Sequence, residues 1–311
     1  MRKLIKTLTK SFNILKESQE EIRVELKNYK FYDKITIKDS NRNFVISFKS
    51  NFFTILMLSL LLESGVERKR CVSYGKIILL LRQIVTSCDN ILDNERKGIL
   101  FIESLKNLVV ENSLITLVSQ ELLTKEIFRI EKEINSSSLQ SKLLEKLYCI
   151  AEGESLRRVE LYREYPDSNY ILNKVHREIG GELLEISLTI PKIVENNLKL
   201  NKFSQGLFII GMSLQALDDF FDMAEDFEDG NINLATSKYR EEFRIEPQNI
   251  DFKKLDVKFV EKYIKDTIDE AYHGFDILEK SGFPIDRNMS KFILKKLFIL
   301  RGLKDYIHYI E

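Results

Sequence analysis

Proline limits helix length more than any other residue, and this chain has only four in 311 positions, together with just twelve glycines. Apolar residues recur at helical spacing through most of the sequence, and long stretches of Leu, Ile, Lys and Glu favour helix on intrinsic propensity. With 44% hydrophobic residues the chain can bury a sizeable core. The expectation is therefore an all-α fold. No repeat of fixed period, low-complexity tract or clear linker interrupts the pattern. One domain is expected over residues 1–311, with residues 1–44 forming an N-terminal helix and connector.

The periodicity predicts a helix over 1–30, a polar connector over 31–44 and a buried helix from Ser47 to Leu62 that ends near Gly65. The segment Cys71 to Asn94 is apolar almost all round until Asp89, which places it in the middle of the fold. One or two helices span 99–135. Ser136–Ser138 offers N-cap chemistry to a helix over 139–164, and Pro166-Asp167 marks a turn. Long helices follow over Asn169–Val194 and Phe203–Glu228, the second closed by Asp229-Gly230. Residues 231–256, with Pro247, are the least regular and suit a mobile loop over a site at that helix end. Two helices, 257–280 and 287–310, complete a set of roughly ten.

Lys+Arg and Asp+Glu balance at 48 each, so the basic excess of a nucleic-acid binder is missing and no such partner is expected. Cys71, Cys88 and Cys149 form neither a zinc spacing nor a disulfide framework, which fits a reducing cytoplasm. The N-terminus is basic at first but turns acidic, without the apolar core of a signal peptide. The longest apolar run, Phe52 to Leu62, falls well short of the ~20 residues of a membrane span, so no stable span is expected.

Two acidic segments interrupt the apolar helices. Asp89 and Asp93 are four apart and share a helix face. Asp218, Asp222 and Asp226 extend the same spacing over two turns, with Asp219 and Glu225 alongside. Like charges at this spacing destabilise a helix by a few tenths of a kcal/mol per pair. Where they are buried, a cation must neutralise them or their pKa values rise. Oxygen donors without nearby His or Cys suit Mg²⁺ bridging to phosphate. One such segment alone is equally well explained as a solvated acidic helix end; two, each ending an apolar helix, fit that reading less well. A calcium loop of EF-hand spacing is not present in the sequence.

SCDNILDNERKG resembles the first aspartate-rich motif of class I isoprenoid synthases, DDxxD or DxxxD. GMSLQALDDFFDMAEDFEDG resembles their second motif in two ways. Gln215 with Asp218, Asp219 and Asp222 is similar to the Q-x-x-D-D-x-x-D of trans-prenyl diphosphate synthases. Asp218, Asp222 and Asp226 fit the acidic triad of terpene synthases and squalene/phytoene synthases. The resemblance spans residues 45 to 310, with the motifs about 130 residues apart. It implies the isoprenoid synthase fold, a helical bundle around a central apolar cavity, and a homodimer. It also implies a prenyl diphosphate substrate and three Mg²⁺ ions bridging to it, held by Asp89, Asp93, Asp218, Asp219, Asp222 and Asp226. Asp89, Asp218 and Arg177 would carry the catalysis.

Arg177, 41 residues before Asp218, stands about where a terpene synthase keeps its diphosphate-sensing arginine, with Lys174 beside it. Gly180-Gly181 in mid-helix reads as a helix break, a close approach of substrate or a packing contact. Lys238 and Arg240 follow the second motif where related enzymes place a phosphate-contacting base on a closing loop. Arg157-Arg158 lies between the motifs. Arg301 and Tyr306 resemble the Arg–Tyr pair of terpene synthases at altered spacing. His176, His273 and His308 build no constellation; His176 reads either as a neighbour of the site or, as such a residue more often is, as surface. Most of the 20 Phe and 12 Tyr read as core.

Chain-elongating members carry a Gly-Lys-Arg element before the first motif, which has no counterpart here, and an Arg-Arg-Gly after it, which Arg96-Lys97-Gly98 matches in part. Together with Asn90 in the first motif, this favours a terpene synthase that cyclises or rearranges the cation. Prenyl transfer, by elongation or coupling, stands second, and a non-catalytic partner subunit of a prenyl synthase third.

Overall fold

A computed structural model describes residues 2–38, 51–300 and 303–310, apart from the side chains of Asp93 and Leu300. The expected all-α class is what the chain adopts, with one two-stranded ribbon among the described residues. Tertiary contacts gather into two compact units: Arg2–Leu143 with Ser187–Leu200, and Leu144–Ile186 with Asn201–Glu311.

In the first unit, α1 (Arg2–Leu26) is amphipathic and buries Leu4, Phe12, Leu15 and Ile22. After β1 (Ile35–Ile37), α2 (Phe52–Glu63) is apolar on every side and buried from Thr54 to Leu61. The expected start of this helix, 47–50, lies outside the described residues, as does 39–44 of the connector. α3 (Arg68–Asp93) packs on α1 and most extensively on α4 (Leu108–Ile134). Arg68–Leu92 is long and apolar enough to cross a membrane, but 72% of its most apolar window is buried inside the protein, as in a core helix. Lys76 on α3 is 2% exposed and donates to Glu126 of α4 at 2.7 Å and to Glu25 of α1, which ties the three helices together. β2 (Leu100–Ile102) pairs antiparallel with β1, Ile35 opposite Ile102 and Ile37 opposite Leu100. Strands of three residues are too short to show a period of two, so the sequence reading places helix and connector here. Asn94, Asn135 and Asn196 end three helices in the left-handed conformation that Asn tolerates.

The chain enters the second unit within α5 (Leu139–Ser155). An α turn at Ser168–Tyr170 leads into a π-wound helix, Ile171–Glu182. α6 (Thr189–Glu195) belongs to the first unit, and α7 (Leu198–Phe221) returns to the second. α8 (Met223–Glu228), α9 (Leu234–Phe243), α10 (Val257–Lys280) and α11 (Arg287–Leu300) complete it, with a 3₁₀ turn at Lys304–Tyr309. The π-helix and α7 meet backbone to backbone. A methyl group at Gly180 would sit 2.8 Å from the Gly211 carbonyl oxygen, and one at Gly181 2.6 Å from the Phe208 ring. Gly180-Gly181 therefore serves helix packing, and the wide π turn takes the place of the expected break.

Candidate active site

α7 buries Phe203, Leu207, Ile210, Leu214, Leu217 and Phe220, and this apolar anchoring delivers Asp218 and Asp219 at its end. The helix jogs at Asp222 (φ −96°, ψ 11°) and resumes as α8. The Asp222 N–H still donates to the Asp218 carbonyl, and Asp226 N–H to Asp222, each at 2.8 Å. Winding therefore continues through the joint and sorts the four aspartates by face. Asp218 and Asp222 are half-exposed, whereas Asp219 and Asp226 are buried, 4% and 5% exposed.

Asp219 is a junction of three elements. Its Oδ2 lies 2.8 Å from Nε2 of His176 on the π-helix and accepts the Leu234 N–H, at the start of α9, at 2.6 Å. Its Oδ1 accepts from Gln215 Nε2 at 3.1 Å. Burial alone would raise the carboxyl pKa, but the His176 ring, the Leu234 amide and Gln215 outweigh it, and the net shift is downward. Asp226 accepts from Arg157 at 3.1 Å and Asn231 at 3.3 Å on Oδ1, and from Asn233 at 2.7 Å on Oδ2. Here burial, helped by the Asp219 charge, prevails over Asn233 and Arg157, and the pKa is raised.

The segment after α8 is fixed where the sequence suggests mobility. Gly230 takes φ 71°, its carbonyl accepts the Val159 N–H at 2.9 Å, and the Ile232 N–H donates to Arg157 O at 2.6 Å. Asn233 caps α9 through the Thr236 N–H at 3.0 Å and donates to the Asp219 carbonyl at 2.6 Å. Tyr165 closes the turn by receiving the Asn233 N–H at 2.7 Å. Much of the stretch expected as a loop is thus helix α9.

His176, for which the sequence favours the surface over a place near the site, is 1% exposed beside Asp219, and its Nδ1 is buried without a hydrogen-bond partner. The π winding turns two successive residues, Val175 and His176, inward. Arg157 and Asn233 also join the network with no periodic signal in the sequence. The basic candidates take other partners. Lys174 lies between Glu152 and Glu178, 2.7 Å from each, and these carboxylates raise its pKa. Arg177 is exposed, with its guanidinium 5.1 Å from the centre of the Phe208 ring. Lys238 lines a cavity of about 430 Å³ with Tyr263, Phe259, Asp266 and Lys262, where burial lowers its pKa. Arg240 sits 3.6 Å from Glu246. Tyr306 packs edge-on against Phe220, while Arg301 lies outside the described residues.

In the first unit, Asp89 is exposed on the last turns of α3, and the Asp93 side chain lies outside the described residues. Asn90, by contrast, is 1% exposed. Arg96 forms a two-pronged pair with Glu111, at 3.1 and 2.9 Å, and Glu111 also accepts the Ile102 N–H at 2.7 Å. Glu111 is 1% exposed, so Arg96 neutralises a buried carboxylate.

Among the described residues no three His, Cys, Asp or Glu side chains converge as a preformed metal cage. Mg²⁺ does not need one, since it binds through one or two carboxylates, retained waters and substrate phosphates. Asp218 and Asp222, half-exposed and backed by a rigid network, fit that requirement. Asp219 and Asp226 have their oxygens occupied by protein donors.

No protein-family model and no curated protein matches the chain. Solved structures do resemble it. A geranylgeranyl pyrophosphate synthetase from the archaeon Geoglobus acetivorans is 17% identical, with a TM-score of 0.52, over 95% of this chain and 98% of that one. A decaprenyl diphosphate synthase from Rhodobacter capsulatus is 17% identical, with a TM-score of 0.55, over 99% and 98%. A geranyltranstransferase from Thermotoga maritima is 14% identical, with a TM-score of 0.53, over 94% and 96%. The chain shares the all-α isoprenoid synthase fold of these three structures.

Proposed function

We propose that the chain is a magnesium-dependent class I isoprenoid synthase that ionises an allylic prenyl diphosphate. The observation that carries this reading is the second acidic segment. Two half-exposed carboxylates, Asp218 and Asp222, stand one turn apart, and the buried Asp219 and Asp226 lock the backbone beneath them to His176, Arg157 and Asn233. This rigidity holds the carboxylates at fixed separation without reorganisation during reaction.

Mg²⁺ held there with substrate would stabilise the charge that grows on the diphosphate as it leaves. Asp218 and Asp222 are its proposed carboxylate ligands in the second unit, and Asp89 of the first acidic segment is proposed to bind a cation as well. Arg177 supplies a fixed positive charge to the same leaving group, its guanidinium steadied by the Phe208 face. The allylic C–O bond breaks with its electron pair going to the diphosphate oxygen, and apolar side chains keep water from the cation.

The fold likeness to synthases that are prenyl-transferring by name supports prenyl transfer as the first fate. The double bond of isopentenyl diphosphate then attacks the cation, and the adduct loses a proton. A second reading, cyclisation of a single substrate, draws on one observation: Arg96, in the partial Arg-Lys-Gly element, is already paired with buried Glu111. Purified protein should be incubated with Mg²⁺ and C10 to C25 allylic diphosphates, with and without isopentenyl diphosphate, and the products analysed by mass spectrometry. Longer diphosphates formed only with isopentenyl diphosphate establish transfer, and cyclic products without it establish cyclisation. No release of diphosphate under any condition would sink the proposal.

A further inference from the structure

Asn90 occupies the second position of the first acidic segment, where an aspartate would complete a run of acids. Its environment gives the amide a different task. The side chain is 1% exposed. Its Oδ1 accepts the Lys97 N–H at 3.1 Å, and its Nδ2 donates to the Lys97 carbonyl at 2.9 Å and to Asn112 Oδ1 at 3.0 Å. A reciprocal pair of this kind to one residue's main chain needs a donor and an acceptor in the same side chain, which Asn supplies and a carboxylate does not. The Asn90 carbonyl meanwhile receives the N–H of Asn94, in the left-handed conformation at φ 54°, and that of Glu95 at 3.1 Å. Asn90 therefore binds both the turn that ends α3 and the strand-forming segment that follows.

Neighbouring side chains complete the clamp. Gln83 Oε1 accepts the N–H groups of Ile99 at 2.6 Å and Leu100 at 2.9 Å, and Glu111 accepts that of Ile102. Gly98 takes φ 123°, and a methyl group there would sit 2.7 Å from Gln83. Residues 97–102 are thus held by buried polar groups of α3 and α4, with Asp89 exposed on the turn just before Asn90.

We infer that Asn90 is a positioning residue for the first acidic segment, fixing the end of α3 on which Asp89 and Asp93 lie, and is not a lost cation ligand. The inference rests on the reading of that segment as metal-binding. Its distinctive consequence is that restoring an aspartate impairs the site. In Asn90→Asp the new carboxylate faces the Lys97 carbonyl and Asn112 Oδ1 with no hydrogen to offer.

The test uses the full chain, with Mn²⁺ as a paramagnetic probe and inorganic diphosphate as the bridging anion. Bound Mn²⁺ is read by electron paramagnetic resonance, and amide exchange over 95–102 by mass spectrometry. N90D is expected to weaken Mn²⁺ binding by about tenfold or more, as loss of an outer partner does, and to speed exchange over 95–102. If N90D does not fold, N112A takes its place; it removes one of the three contacts and should shift both readouts less, in the same direction. Unchanged or tighter Mn²⁺ binding by the folded variant, with wild type binding normally, overturns the inference alone. Failure of the wild type to bind Mn²⁺ overturns both the inference and the proposed function.

Discussion

Asp219 offers the sharpest structural test of the second acidic segment. Asp219→Ala removes the acceptor for three donors: His176 Nε2, the Leu234 N–H and Gln215 Nε2. Gln215 is half-exposed and can turn to water, whereas His176 and Leu234 are 1% exposed and cannot. Each orphaned buried donor costs about 1–3 kcal/mol, so D219A should lose ~4 kcal/mol. Asp219→Asn keeps one oxygen for His176 and Leu234 and loses only the charge on the acceptor, a cost of about 1 kcal/mol. Urea denaturation gives the energies, and hydrogen exchange gives their location. D219A should speed exchange over 171–182 and 231–240, which Asp219 joins, and leave Arg2–Leu143 unchanged. A D219A midpoint equal to wild type, or a D219N loss as large as that of D219A, would refute this reasoning.

Three further outcomes follow from the same geometry. The Asp219 pKa is depressed in the folded chain, so its stabilisation is present above the unfolded value of ~3.9 and is lost as pH falls through the folded one. The wild-type advantage over D219N should accordingly hold from pH 6 to 8 and shrink in acid, as followed by urea midpoints across pH. Arg96→Met strands the Glu111 carboxylate, 1% exposed, with the Ile102 N–H as its remaining donor in this cluster. Because Arg96 itself is 41% exposed, thermal melts should register only about 1–2 kcal/mol, the cost of a weakened buried acceptor discounted for solvent. Gly211→Ala would drive a methyl group into the Gly180 carbonyl. It should cost about 1–3 kcal/mol by overpacking and reduce turnover, because it displaces the π-helix that carries Arg177.

The helices are legible in the sequence because each has an apolar stripe of the right period. α1, α3 and α10 appear within a few residues of their expected limits. α9 is not legible, because it is short and amphipathic only in context; what secures it is the Asn233 cap and the Leu234–Asp219 bond, both tertiary. The spacing of Asp218, Asp222 and Asp226 promises one shared face. The jog at Asp222 and the burial of Asp219 and Asp226 divide that set into a half-exposed pair and an inward pair, a division that periodicity alone cannot make. The sequence favours a surface place for His176 for a related reason. A π turn shifts the register, so an α-periodic reading assigns the inner face to the wrong neighbours. Asn90 looks in sequence like a weakened motif and in structure is a buried clamp, because the difference lies in the Lys97 main chain that it grips.

The central claim is that carboxylates of the second segment direct a cation to the leaving diphosphate. The most direct measurement is Mg²⁺-dependent release of inorganic diphosphate from an allylic prenyl diphosphate by wild type and by Asp222→Ala, each verified as folded. Asp222 uses its backbone in the helix joint and holds its side chain half-exposed, so the variant should remain folded. The account predicts release by the wild type that stops when Mg²⁺ is chelated, and a loss of at least about 100-fold in D222A, some 2.7 kcal/mol of transition-state stabilisation. Release that is indifferent to Mg²⁺, or a D222A variant as active as wild type, would contradict it.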